Sequence, residues 1–157
     1  MKYVMLGVLV FVTPLSWAKP DDKTAINDVL NQLHAHASAA NFNAYFALYA
    51  KEATFIGTDA KEVWDIEEFK AYAKPHFDKG RGWTYHPSAR HIYLSATQQV
   101  AWFDELLDNN SFGETRGTGV LVRQNGHWKV AQYHLAIPIP NALADEISRQ
   151  IKAFKPQ

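Results

Sequence analysis

The chain has 157 residues, with 16 basic and 16 acidic side chains, 47% hydrophobic and 13% aromatic residues, and no cysteine. Balanced charge removes the broad positive field that nucleic acid or an anionic membrane surface would require. The missing cysteines exclude disulfides, thiolate nucleophiles and cysteine metal sites, so packing alone must hold the fold.

Met1 and Lys2 precede an apolar run from Tyr3 to Val12, followed by Thr13, Pro14, Leu15 and the small-residue pattern Ser16-Trp17-Ala18. One positive charge, a short apolar segment and small residues before a scissile bond predict a secretory signal peptide, residues 1–18, cut after Ala18. The apolar run is shorter than the roughly 20 residues that span a bilayer, so no stable membrane insertion is expected after cleavage. The remaining residues, 19–157, are enough for a single domain with its own core. Losing Lys2 leaves 15 basic against 16 acidic side chains. Export places the product in the periplasm or outside the cell.

Asp21 and Asp22 can cap a helix in which Ile26, Val29, Leu30, Leu33 and Ala37 recur at spacings of three and four, ending near Asn41. A short helix is predicted over 43–50, then a brief strand over 53–56 stopped by Gly57-Thr58-Asp59. Asp65 and Glu68 form a capping-box pattern for a third helix carrying Phe69, Tyr72, Ala73 and Phe77, which Pro75 should kink or end. From Trp83 the period falls to two, and strands are predicted over 83–86, 90–95, 99–107, 115–123 and 127–137 as an antiparallel meander. Asn125-Gly126 is a strong hairpin signal. Pro138 and Pro140 end the last strand, and Leu143, Ile147, Ile151 and Phe154 mark a closing amphipathic helix. Helices first and a curled sheet after them make an α+β cone, in which a cavity between helices and concave sheet is the place for function.

Three stretches carry a resemblance: Glu52 to Trp64 (EATFIGTDAKEVW), Gly113 to Leu121 (GETRGTGVL) and His127 to Asn141 (HWKVAQYHLAIPIPN). With the order of elements they resemble the nuclear-transport-factor-2-like superfamily, and within it the bacterial SnoaL-like proteins. The resemblance implies the cone fold, and it implies homodimers, since members often pair through the outer sheet face. It also implies where steroid isomerases of this superfamily keep their machinery. The strand-end aspartate falls on Gly57 and the oxyanion tyrosine near Leu33, so both of those groups are missing at their expected places.

Candidate site residues come from alternation. Asp104 shares one face of its strand with Val100, Trp102 and Leu106, and Glu105 shares the other with Ala101, Phe103 and Leu107. An enclosed carboxylate must be paired or protonated, and Arg116 on the next strand is the expected partner. That pair reads either as structural pinning, or as a ligand anchor or an acid with a raised pKa. His134 alternates with Trp128, Val130 and Gln132, while Tyr133 lies opposite. It reads as a satisfied core histidine or as a general acid/base beside Asp104 or Glu105. His34 and His36 face different ways on their helix and make poor joint ligands. Trp64, Trp83 and Trp102, with Tyr49, Phe55 and Phe77, are candidates to line an aromatic pocket. Gly117 and Gly119 on one strand face suit sheet curvature first and dimer packing second. No phosphate loop, dinucleotide fingerprint, Gly-x-Ser-x-Gly or HExxH pattern is present, so neither a cofactor nor a metal is expected.

Three functions remain open. One is an exported binder of a small apolar or aromatic molecule, held by Trp64, Trp83, Trp102 and Tyr133 and oriented by Glu105, Arg116 and His134. Another is an acid/base enzyme, an isomerase, cyclase or dehydratase, using His134 with Asp104 or Glu105. The last is a dimeric association module.

Overall fold

The computed structural model describes residues 21–154, and the signal-peptide expectation lies outside them. Helix α1 runs Asp22–Ser38, with the Asp21 side chain accepting from the Thr24 backbone N–H, and buries Ile26, Leu30, Leu33 and Ala37 as its periodicity predicts. Helix α2 is shorter than expected, Phe42–Phe46, because Tyr49 and Ala50 belong instead to strand β1, Tyr49–Ile56. Pairing decides this: the Val130 N–H reaches the Leu48 carbonyl at 2.9 Å, and Tyr49 lies in register with Val130. A non-local ladder has overridden a helical local pattern.

Strand β2, Val63–Asp65, pairs antiparallel with β1 and was not legible as a strand. Helix α3, Ile66–Phe77, begins at Asp65 with the full reciprocal capping box to Glu68 and passes through Pro75 to end two residues later. Trp83, Thr84 and Tyr85 are not strand. Strand β3 is a single element, His86–Leu94, with a register shift between Pro87 and Ala89. It tolerates Pro87 because it is the sheet's edge, where a missing N–H donor costs no ladder bond. Strands β4 (Val100–Asn109), β5 (Gly113–Gln124) and β6 (His127–Ala136) follow as the meander predicts. Asn125 and Gly126 both have positive φ, 51° and 79°.

The sheet order is β2-β1-β6-β5-β4-β3. It is a curved, open sheet, and the purely antiparallel expectation is corrected at one seam: β1 joins β6 in parallel. Helix α1 packs against β3 and β6, and α3 against β1 and β2, so the helices cover the concave face. That face carries Ala101, Phe103, Glu105, Leu107, Leu121, Val130 and Tyr133, all buried. The last helix, α4, Ala144–Ala153, forms but does not close the cone: Ile151 and Phe154 remain 64% and 73% exposed.

Candidate functional site: an aromatic cleft over a buried carboxylate

Register places Arg90 of β3 opposite Glu105 of β4, and Glu105 opposite Gly117 of β5. The Glu105 side chain is fully buried, and each of its oxygens is claimed twice. Oε1 accepts from His34 Nε2 and from the Tyr133 hydroxyl, both at 2.8 Å. Oε2 meets the Arg90 fork, Nε at 2.7 Å and Nη2 at 2.6 Å. Arg90 is itself held from α1, where its Nη1 donates to Asn27 Oδ1 at 2.7 Å and Asn31 Oδ1 at 2.8 Å. A buried ion pair is tolerable when most of its remaining lone pairs and protons are satisfied in this way; Arg90 Nη2, near Oε2 as a charge contact, is buried without a hydrogen bond.

Burial alone would raise the Glu105 pKa. The hydrogen bond from His34, the charge that ring carries when protonated, the charge of Arg90 and the Tyr133 hydroxyl outweigh it, and the carboxyl is held below its ordinary value. Glu105 is therefore a carboxylate at neutral pH, not an acid with a raised pKa. The Tyr133 phenol is pushed well up by burial and by the neighbouring Glu105 charge, so it stays a donor.

Glycine makes this contact possible. Tyr133 is in register with Gly119, and leans diagonally over Gly117 to reach Glu105. A Cβ on Gly117 would stand 2.3 Å from the Tyr133 hydroxyl. A Cβ on Gly119 would stand 2.2 Å from the Gln132 carbonyl and 2.8 Å from the Phe103 ring. The missing side chains serve packing inside the cone rather than packing of a second copy.

Above this floor opens a cleft of about 340 Å³ lined by His34, Phe55, Trp64, Phe69, Tyr72, Trp83, Tyr85 and Tyr133 among others. Its rings are stacked. Phe55 and Phe69 have centroids 3.9 Å apart at 14°, Trp64 and Tyr72 4.6 Å at 22°, Trp64 and Phe69 5.9 Å at 7°, and Phe55 and Tyr133 5.9 Å at 6°. Thr58 and Glu62 also line the cleft. Glu62 fills the space left by Gly57, where an added Cβ would be 2.2 Å from Glu62 Oε2. A carboxylate thus reaches, from the β1–β2 turn, the place that the sequence leaves empty at Gly57.

Several candidates move. Trp64, Trp83, Phe55 and Tyr133 line the cleft, whereas Tyr49 and Phe77 are core residues. Trp102 is on the outer face, 46% exposed and stacked on Tyr93 at 5.8 Å. Arg116 is exposed and in register with Leu106, so it points away from Glu105, and Arg90 takes its place as the partner. His134 is on the outer face too, in register with Thr118, and lies beside the C-terminal segment. It cannot act with Glu105. Asp104 shares that face, but Thr118 stands between it and His134, roughly 10 Å across two strand spacings. Asp104 pairs with His91 at 3.0 Å instead. Among the described residues no group of three or more His, Asp or Glu side chains is placed to hold a metal ion.

Sequence reasoning weighed His34 only as a joint metal ligand with His36, and passed over Arg90, Asn27 and Asn31. The signal was present: positions 27, 31, 34 and 38 form one polar stripe beside the apolar stripe of α1, and each has a partner across the cone, Ser38 reaching Thr84 at 2.9 Å.

Residues 26–140 match the SnoaL-like domain. The chain belongs to the SnoaL-like family. No curated protein matches it. Among solved structures it is similar to a cystatin-like-fold protein of unknown function from Nostoc punctiforme (18% identity, 74% of this chain and 91% of that one, TM-score 0.62). It is also similar to a putative dehydratase of the nuclear-transport-factor-2-like family from Streptomyces avermitilis (10%, 76% and 97%, 0.64). A putative ketosteroid isomerase from Shewanella frigidimarina is a third (21%, 71% and 94%, 0.55). At these identities the likeness establishes the nuclear-transport-factor-2-like fold of this SnoaL-like chain and nothing finer.

Proposed function

We propose that this SnoaL-like protein binds a small planar molecule, apolar over most of its surface, in the open volume of the cleft, against the ring faces and edges that line it. The observation that carries this reading is the near-parallel set Phe55, Trp64, Phe69, Tyr72 and Tyr133 around an open volume. Parallel ring faces favour a flat guest by offset stacking and area burial. Titration with a naphthalene-type probe should change the fluorescence of Trp64 and Trp83. Trp64→Ala should weaken binding about tenfold or more, the loss of one stacking partner and its buried area. Trp102→Ala, on the far face, should leave affinity unchanged. Equal loss in both variants would place the ligand elsewhere.

We propose further that the chain is exported, with residues 1–18 removed, and that it pairs with a second copy through the outer sheet face. The exposed Tyr93–Trp102 stack, 44% and 46% accessible, supports that surface. Native mass spectrometry of protein recovered from cells expressing the full chain reads all of this at once. The expected species is a dimer of chains beginning at Lys19, carrying a small molecule. Recovery of intact, uncleaved monomer would refute both export and pairing.

A further inference from the structure

The proposed cleft holds a histidine, His34, whose neutral tautomer the fold dictates. Among the described residues only Glu105 bonds the His34 ring, and it does so at Nε2. Because Glu105 is a carboxylate on which Arg90 and Tyr133 also converge, it can only accept, so Nε2 carries the proton. In the neutral imidazole the other nitrogen, Nδ1, then has the lone pair. No described protein group bonds it and it is not a sealed atom, while the ring itself lines the cleft. The groups facing His34 are Glu105 from β4, Tyr133 from β6 at 6.3 Å between ring centroids, and Arg90 from β3 behind Glu105. Glu62 and Tyr85 stand on the walls of the same cleft.

A lone pair at the floor of an aromatic cleft selects a flat guest with a hydrogen to give. We infer that the cleft takes a planar hydroxy-aromatic molecule, a phenol or enol, with its hydroxyl on His34 Nδ1, and that His34 takes up that proton. The inference rests on the binding reading above. In the transfer the O–H bond breaks, the Nδ1–H bond forms and the electron pair stays on the ligand oxygen. The imidazolium so formed lies beside the Glu105 carboxylate, which offsets its charge. His34 is thus the proton-accepting group of the site, in the place that sequence alone gives to His134.

The test uses 4-nitrophenol, whose phenolate absorbs in the visible, beside 4-nitroanisole, which has the same shape and no proton to give. Wild-type protein should bind both, and should hold about tenfold more of the bound nitrophenol as phenolate than free solution does at the same pH, a shift of about one unit. His34→Gln can still donate to Glu105 but has no basic nitrogen. It should lose the phenolate excess while still binding 4-nitroanisole. Should that variant not fold, the ¹⁵N shifts of the wild-type His34 ring serve: 4-nitrophenol, and not 4-nitroanisole, should convert Nδ1 from a lone-pair to an N–H signal. Binding of both probes with no phenolate excess, or with the same excess in His34→Gln, overturns the proton transfer and leaves the binding reading standing. Failure of both probes to bind overturns the two together.

Discussion

Glu105→Gln should be the most damaging single substitution at the site, with a loss of about 3–5 kcal/mol, the range for removing one partner of a buried ion pair. The Arg90 side chain is only 8% exposed, so its charge would be left without a counter-ion. Turned toward Arg90 the new amide N–H₂ would face a group that can only donate, and turned the other way it would need the Tyr133 hydroxyl to accept and the His34 tautomer to reverse. In a domain of this size the melting temperature should fall by roughly 10 °C, which thermal unfolding by circular dichroism reads directly. Adding Arg90→Met should restore part of the loss, because the stranded charge goes with it.

The same group sets an acid limit. Its folded pKa lies below the unfolded value, so the stability it contributes is present in full above the ordinary carboxyl value of 4.5 and is lost as pH falls through the folded midpoint. Wild type should lose stability over that acid range more steeply than Glu105→Gln. Parallel curves for the two proteins would mean that Glu105 is not the buried carboxylate described.

Gly117→Ala should cost about 3 kcal/mol or more, combining overpacking with loss of a hydrogen bond to a charged group. The clash is with the Tyr133 hydroxyl, and Tyr133 has little room to retreat, being buried with Phe55 stacked at 5.9 Å and Phe103 at 5.7 Å. A double-mutant cycle separates this from a backbone effect. In Tyr133→Phe the nearest atom to the added methyl is the ring carbon, at 2.9 Å rather than 2.3 Å. The glycine substitution should therefore cost clearly less in the Tyr133→Phe background. Equal cost in both backgrounds, measured by urea denaturation, would show that Gly117 is needed for sheet curvature and not for the hydroxyl's approach.

Elements with strong local signals were legible. The α1 stripe, the Asp65–Glu68 capping box, the Asn125-Gly126 turn and the alternation of β4 to β6 each depend on contacts a few residues apart. Where the structure departs, the deciding contact is distant in sequence. Residues 49 and 50 leave the helical pattern for a ladder with β6, and Val63–Asp65 becomes a strand only because β1 lies beside it.

The site divides the same way. Alternation showed that Asp104 and Glu105 lie on opposite faces and that one of them is enclosed, but period two is blind to which face is covered. Helices α1 and α3 settle that by packing on the Glu105 side. The same choice puts His134, Arg116 and Trp102 outside and brings His34 inside, four residues along the helix from Leu30 on the flank of its buried stripe. The partner of Glu105 was equally out of reach, since β3 and β5 both flank β4 and only register and curvature set Arg90, not Arg116, over the concave face. The sequence by itself determined the α+β order and the existence of an enclosed carboxylate, because local periodicity encodes them, and its stretches 52–64, 113–121 and 127–141 carried the family resemblance. Tertiary structure alone decided which histidine and which arginine meet it, because strand register and helix docking are cooperative properties of the whole sheet.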